Sequence, residues 1–197
     1  MKARPIKGLH PHRPLDENAQ IIVATRLDEL YRFLPRALDP EQPEALHDMR
    51  IAAKRLRYVL ELTGFCFGAY AATATRHARE LQELIGEVHD CDVMLPRIRG
   101  HLEERRRAAA RSLAATATDP DALTLTDAGA AGDGDVYRAL ELLTLHYEAR
   151  RIRCFARFCR RWASLERAHW RSRLQEALTQ APAARVPTTP ALVEESA

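Results

Sequence analysis

The sequence is poor in glycine, in aromatic residues and in lysine. Glycine accounts for 8 of the 197 residues, aromatic side chains for 6%, and lysine for three of the 30 basic residues. Runs of Val, Ile and Thr of the kind that form strands are absent. Alanine, leucine and arginine dominate instead, and all three favour helices. The composition therefore predicts an all-α protein, whose length suits one domain with a proper hydrophobic core.

Long apolar runs are missing as well. No stretch approaches the ~20 apolar residues that a helix needs to cross a bilayer, and the basic N-terminus lacks the apolar core of a signal peptide. We therefore expect a cytoplasmic protein without membrane partners.

The cysteines form no CxxC pair of the type that binds a metal. Thiols in a reducing compartment are usually idle, so we expect neither a metal site nor a cofactor. The four are Cys66, Cys91, Cys154 and Cys159.

Prolines and a shift in composition divide the chain. Residues 1–15 are basic and contain three prolines, which predicts a flexible basic arm. A helical domain is predicted over 16–181, with a linker at 118–134 that is rich in Asp, Gly and Thr and has no apolar face. Residues 182–197 are predicted to form a disordered tail.

Apolar periodicity within the domain predicts an antiparallel bundle of five to six long helices. We expect Gly86 to break or bend the chain, Pro96 to kink the helix that follows, and a further break near Ser164. The predicted helices cover about 16–38, 43–63, 69–85, 88–113 and 135–181.

One helical segment carries a segregated charge stripe. The formal net charge is only +3, so the distribution of charge matters more than its sum. At 100° per residue, His47, Arg50, Lys54 and Arg57 share one face with Glu61. A solvated face usually mixes charges of both signs. The stripe alone leaves both an ordinary solvated face and an anion-binding surface open. The opposite face is apolar and is predicted to be buried: Met49, Ala52, Ala53, Leu56, Val59 and Leu60.

A second basic stripe follows late in the chain. Its spacing from His146 echoes the spacing from His47, which fits either an internal duplication or chance in an arginine-rich chain. Its members are His146, Arg150, Arg153, Arg157, Arg160, Arg167 and Arg171. The face opposite is predicted to be buried: Ile152, Phe155, Phe158, Cys159, Trp162 and Leu165.

Two motifs carry a resemblance to a known family. LHDMRIAAKRLRYVLEL and LIGEVHDCDV, in that order, resemble the signature segments of CHAD domains, the conserved-histidine α-helical domains, and the likeness extends over about residues 16–173. The matching positions in the first motif are His47, Arg50, Ile51, Lys54, Arg55, Leu56 and Arg57. Those in the second are Gly86, Asp90, Asp92 and Val93.

The resemblance implies antiparallel helical bundles whose basic surface binds inorganic polyphosphate, and association with polyphosphate or storage granules in some members. It implies a binding module rather than an enzyme, and a homodimer is left open. Asp90 and Asp92 are interpreted as carboxylates that organise the cations, and Arg55 either joins a second wall or pairs with an acid. The candidate polyphosphate-binding residues are His47, Arg50, Lys54, Arg55, Arg57, Arg97, Arg150, Arg153 and Arg157.

Three alternatives remain. The cations would also suit a nucleic acid, and a helical scaffold that binds another protein is the simplest option. The dipeptides His47–Asp48 and His89–Asp90 are of the kind that HD-type metal-dependent phosphohydrolases use. Adjacent helical residues point about 100° apart, so one dipeptide cannot close a metal site. The further ligands would be His77, His101 and Asp92.

Overall fold

The computed structural model describes residues 3–116, 119 and 134–180, and every regular element in those ranges is helical. This confirms the all-α prediction, with five helices. They are α1 (Leu15–Ala37), α2 (Pro43–Thr63), α3 (Ala69–Thr116), α4 (Gly134–Arg167) and α5 (Trp170–Thr179), and one 3-10 turn (Gly64–Cys66) joins α2 to α3. None of these helices is long and apolar enough to span a membrane.

Helix α3 is continuous, so the predicted break at Gly86 is wrong. It runs for 48 residues and contains both Gly86 and Pro96, although a glycine costs a helix ~1 kcal/mol and an interior proline ~3 kcal/mol. Packing against α4 offsets these costs, since α4 contacts α3 on both sides of Pro96. Arg151 pairs with Asp92 before the proline, and α4 pairs with Arg99 after it.

The last helical block breaks later than predicted. Helix α4 continues past Ser164 to Arg167, and α5 begins at Trp170. The reversal is made at His169, which has a left-handed φ of 51°, a conformation that ends a helix sharply. Trp170 then folds back into the core, with its ring centroid 6.2 Å from that of Trp162.

The core lies between α1, α2, the first half of α3 and the second half of α4, and α5 closes one end. The predicted apolar face of α2 is confirmed, because all its members except the half-buried Val59 are at most 1% exposed. The other helices supply large buried side chains at helical spacing: Leu27, Leu30, Leu81, Ile85, Phe158, Trp162, Leu165, Trp170 and Leu174.

The predicted buried face of α4 is wrong at one residue. Ile152, expected in the core, is 68% exposed, while Cys154 on the neighbouring face is buried. Helices α1 and α2 are 23 and 21 residues long, against 48 and 34 for α3 and α4. The two longer helices therefore extend beyond the bundle as a hairpin, and there α4 is covered by α3 alone.

The domain boundaries fall mostly at the edge of the described ranges. The predicted linker, apart from Asp119 and Gly134, and the predicted tail lie outside the described residues. The segment before α1 contacts α1 near its start, where His10 and Arg13 bond to Asn18. Further along α1, the Arg4 N–H donates to Glu29 (3.1 Å), and the Arg4 carbonyl accepts from Arg26 (2.9 Å). The flexibility of the arm stays a prediction.

Candidate functional site

Two basic rows lie on two flanks of α3. We call His47, Arg50, Lys54 and Arg57 the α2 row, and His146, Arg150, Arg153 and Arg157 the α4 row. Gly86 of α3 approaches Arg50 of α2, and the next residue, Glu87, accepts a hydrogen bond from Arg157 of α4 (2.7 Å). Consecutive helical residues point about 100° apart. The two rows therefore flank the outer face of one helix at the same level.

Arg50 and Lys54 are the cations of the α2 row that keep their charge available. Neither forms an ion pair with a carboxylate in the described ranges, and the buried Arg50 Nε has no hydrogen-bond partner there. Lys54 is exposed, with its ammonium 5.6 Å from the centroid of the Tyr58 ring. An arginine held against a helix without an acidic partner has its remaining donors ready for an anion.

Gly86 allows the Arg50 side chain to lie close to α3, but a small side chain at position 86 would also fit. A Cβ atom at position 86 would lie 3.4 Å from Arg50 Nε, which is ordinary contact. We expect Gly86→Ala to raise the free energy of unfolding by about 0.5–1 kcal/mol, because alanine is the better helix former. Thermal unfolding followed by circular dichroism should show a Tm increase of about 2 °C. A Tm decrease would mean that the approach of Arg50 is tighter than it is in this structure.

The other two predicted cations of α2 are engaged. Arg57 lies 3.6 Å from Glu61, which also accepts from Arg79 of α3 (2.8 Å). Arg55 turns to α1 and donates to the fully buried Glu29 (2.9 Å). Of the two alternatives for Arg55, the structure thus gives the ion pair with an acid, so we expect Arg55 to contribute to stability rather than to polyphosphate binding.

His47 lies against a histidine that the sequence-based site did not include. The rings of His47 and His89 are 4.6 Å apart between centroids, and the buried His47 Nδ1 has no hydrogen-bond partner among the described residues. They line a cleft of about 420 Å³ with Pro43, Glu44 and Asp92, among others. His89 belongs to the LIGEVHDCDV motif, from which the sequence analysis identified its neighbours Asp90 and Asp92. The same motif could therefore have identified His89.

The pKa of His89 is lowered from its ordinary value. Burial is the main cause, and the charges of His47 and Arg50 add to it, against an opposing effect of Asp90 and Asp92. The imidazole is therefore neutral at pH 7. An anion placed beside His89 would favour its protonated form.

The α4 row is partly neutralised by α3. Glu87 forms an ion pair with Arg157. Arg150 and Arg153 line a cleft of about 500 Å³ and form no ion pair with a described carboxylate. Two other arginines of α4 also pair with α3: Arg151 donates to Asp92 (2.5 Å) and Arg161 to Glu80. The acids of α3 thus fasten α4 in place, and part of its positive charge is used structurally.

The remaining predicted residues have different surroundings. Asp92 pairs with Arg151, which is not one of the predicted binding residues, so its role as an organiser of the binding cations stays a prediction. Asp90 is exposed and forms no ion pair within the described ranges. Arg97 is exposed, one turn beyond Val93, which lines the His47 cleft with Pro43 at the start of α2. Arg97 therefore lies at the end of the α2 row rather than beside it.

The ligands proposed for a metal site are separated. His77 contacts Arg161 (2.8 Å) and the edge of Trp170, and His101 lies near Glu104 on the exposed part of α3. Within residues 3–116, 119 and 134–180, no group of three or more His, Cys, Asp and Glu side chains is placed to hold a metal ion. The arrangement of donors thus offers a row of cations rather than a metal centre.

Comparisons with known proteins give one result. No curated protein and no solved structure matches the chain. A family model described as CHAD domain matches residues 2–99, which include both motifs, the α2 row and its contacts on α3, while the α4 row lies beyond the match. The chain belongs to the CHAD domain family.

Proposed function

We propose that the protein is a binding module for inorganic polyphosphate. The bound polyphosphate would cross the outer face of α3 between the α2 row and the α4 row. The observation that carries the proposal is the lack of a carboxylate partner for Arg50 and Lys54 among the described residues, beside the His47–His89 pair. The association of CHAD domains with polyphosphate supports it.

The chemistry of the ligand suits this row. Polyphosphate repeats a negative charge and offers only acceptor oxygens, so a receptor needs several donors along a line and no sequence readout. His47 to Arg57 rise about 15 Å along α2 at 1.5 Å per residue. Arginine contributes planar, bidentate donors and lysine a point charge. We assign Arg50 and Lys54 the main contacts, with Arg150 and Arg153 as the opposite wall.

Binding without catalysis is part of this proposal, as is a cytoplasmic site of action at polyphosphate granules. The rows hold cations, whose donors suit the binding of a polyanion. A fluorescent fusion should co-locate with stained polyphosphate granules and disperse in cells that lack polyphosphate. Diffuse fluorescence in both strains would contradict the granule location.

The proposal separates from nucleic-acid binding in a competition assay. Tyr58 is an exposed aromatic residue beside the α2 row. Its ring already faces Lys54 and Arg57, at 5.6 and 4.6 Å, which leaves it poorly placed for base stacking. At fixed ionic strength, long-chain polyphosphate should displace labelled single-stranded RNA at a far lower phosphate concentration than the reverse. Preferential retention of RNA or DNA would replace the proposal with a nucleic-acid module.

The lowered pKa of His89 predicts proton uptake on binding. Since the pKa of His89 is lowered in the free protein by burial and nearby positive charge, a bound polyanion should raise it. Affinity should therefore increase as the pH falls from 7 to 6. Calorimetry at pH 6 in two non-phosphate buffers of different ionisation enthalpy should show an uptake of about half a proton or more. His89→Gln is the control, and an uptake of zero in the wild type, or one unchanged in the variant, would remove His89 from the site.

A further inference from the structure

The hairpin of α3 and α4 leaves an apolar seam uncovered. Leu142, Leu145 and Ile152 of α4 are 58%, 62% and 68% exposed, and Ala149 lies between them. The four residues are spaced by 3, 4 and 3 positions, which is the a/d pattern of a coiled coil. We call them the α4 seam.

The described part of the chain does not cover this seam. Helix α3 contacts α4 from the other side, through Cys154 and through pairs of Arg99 with Glu148 (2.6 Å) and Arg106 with Glu141 (3.2 Å). Helices α1 and α2 end near the level of the Arg151–Asp92 pair, below most of the seam. A two-helix unit cannot bury both of its apolar sides by itself.

Charges beside the seam indicate what covers it. With Leu142 at position a, the g positions are Glu141 and Glu148, and the e positions are His146 and Arg153. Two parallel copies would place g opposite e, so that Glu148, which accepts from Arg99 of its own chain (2.6 Å), also meets Arg153 of the second copy. An antiparallel pair would place g opposite g and e opposite e, and would repel on both sides.

We propose that the α4 seam pairs in parallel with the same seam of a second copy of this chain, which makes the protein a two-fold symmetric homodimer. The seam is short, with four core positions over about 15 Å of helix. Such an interface is at the small end of specific interfaces. We therefore expect dissociation in the micromolar range rather than an obligate dimer.

Sedimentation equilibrium of the full chain at roughly 1–300 µM tests the pairing. Wild type should shift from monomer to dimer, and Leu145→Glu should raise the dissociation constant at least about 30-fold with an unchanged helical spectrum and Tm. Leu62→Glu is the matched control, because Leu62 is 74% exposed on α2, away from the seam. Its dissociation constant should equal that of the wild type.

A charge exchange tests the parallel orientation. Glu148→Arg and Arg153→Glu should each weaken self-association about tenfold, since like charges then meet at both g–e contacts. An equimolar mixture of the two variants should dimerise as well as wild type, because both contacts in the mixed pair join opposite charges.

Several results would overturn the proposal. A wild type that is monomeric at every concentration, or a dimer that survives Leu145→Glu, would remove the seam from self-association. A lower Tm in Leu145→Glu without a change in association would mean that the seam is covered by its own chain. Failure of the mixed variants to recover dimerisation would exclude the parallel pairing.

Discussion

The double variant Arg50→Ala/Lys54→Ala is expected to bind polyphosphate at least about 30-fold more weakly than the wild type. Neither side chain forms an ion pair with a described carboxylate, so both charges are available to the ligand, and charge-assisted contacts contribute ~1.5–3 kcal/mol each. Because no ion pair is lost, the Tm should change by at most about 2 °C. Fluorescence anisotropy with end-labelled polyphosphate measures the affinity, and circular dichroism measures the Tm.

A charge-matched control separates a specific row from the general field of the protein. Arg106→Ala/Arg107→Ala removes the same net charge from exposed positions of α3 on the hairpin, where the two arginines pair with Glu141 and Glu103. Its affinity should fall less than about threefold, since exposed charges more than a Debye length away are screened. Equal losses in the two double variants would mean that binding follows net charge and that the α2 row is not the site.

The second large effect concerns stability and involves Glu29. This carboxylate is fully buried and accepts from Arg26 (2.7 Å), Arg55 (2.9 Å) and the Arg4 N–H (3.1 Å). Removing one partner of a buried ionic group leaves uncompensated charge and costs about 3–5 kcal/mol. We expect Glu29→Ala to lower the free energy of unfolding by that amount in urea denaturation. Arg55→Ala should also lower stability while leaving polyphosphate affinity near that of the wild type under conditions where both proteins are folded.

The neighbouring residue supplies the control for that experiment. Asp28 pairs with Arg171 (2.8 Å), but both side chains are nearly half exposed, and ion pairs of this kind contribute ~0–1 kcal/mol. Asp28→Ala should therefore be almost as stable as the wild type. If Glu29→Ala were equally mild, the buried ion pair would be replaceable by water, and Arg55 would again be a candidate for the binding surface.

The separation of faces on α2 could be predicted from the sequence because it depends only on helical spacing. Met49 and Leu56 are buried, and Arg50 and Lys54 lie on the other side, as the 100° spacing requires. The pairing of Arg55 could not be predicted in this way. Its partner Glu29 lies on another helix, and no local pattern specifies which acid an arginine reaches across a bundle.

The wrong assignment of Ile152 has a traceable cause. Helical spacing places Ile152 opposite the basic stripe of α4, but spacing alone does not specify how far α1 and α2 extend along α4. Contacts with α4 hold the helix together through Gly86, so α3 and α4 extend past the bundle and leave Ile152 without cover. The local cost of a glycine is ~1 kcal/mol, which tertiary packing readily exceeds.

The central claim is most directly tested by titrating the wild-type protein with long-chain polyphosphate at several salt concentrations. The account predicts tight binding in dilute buffer and a linear fall of log K with log [salt], because counterions are released as phosphates are neutralised. It also predicts a shallower slope for Arg50→Ala/Lys54→Ala, by about two phosphate contacts. No binding in dilute buffer, or an affinity and slope that are the same in both proteins, would contradict it.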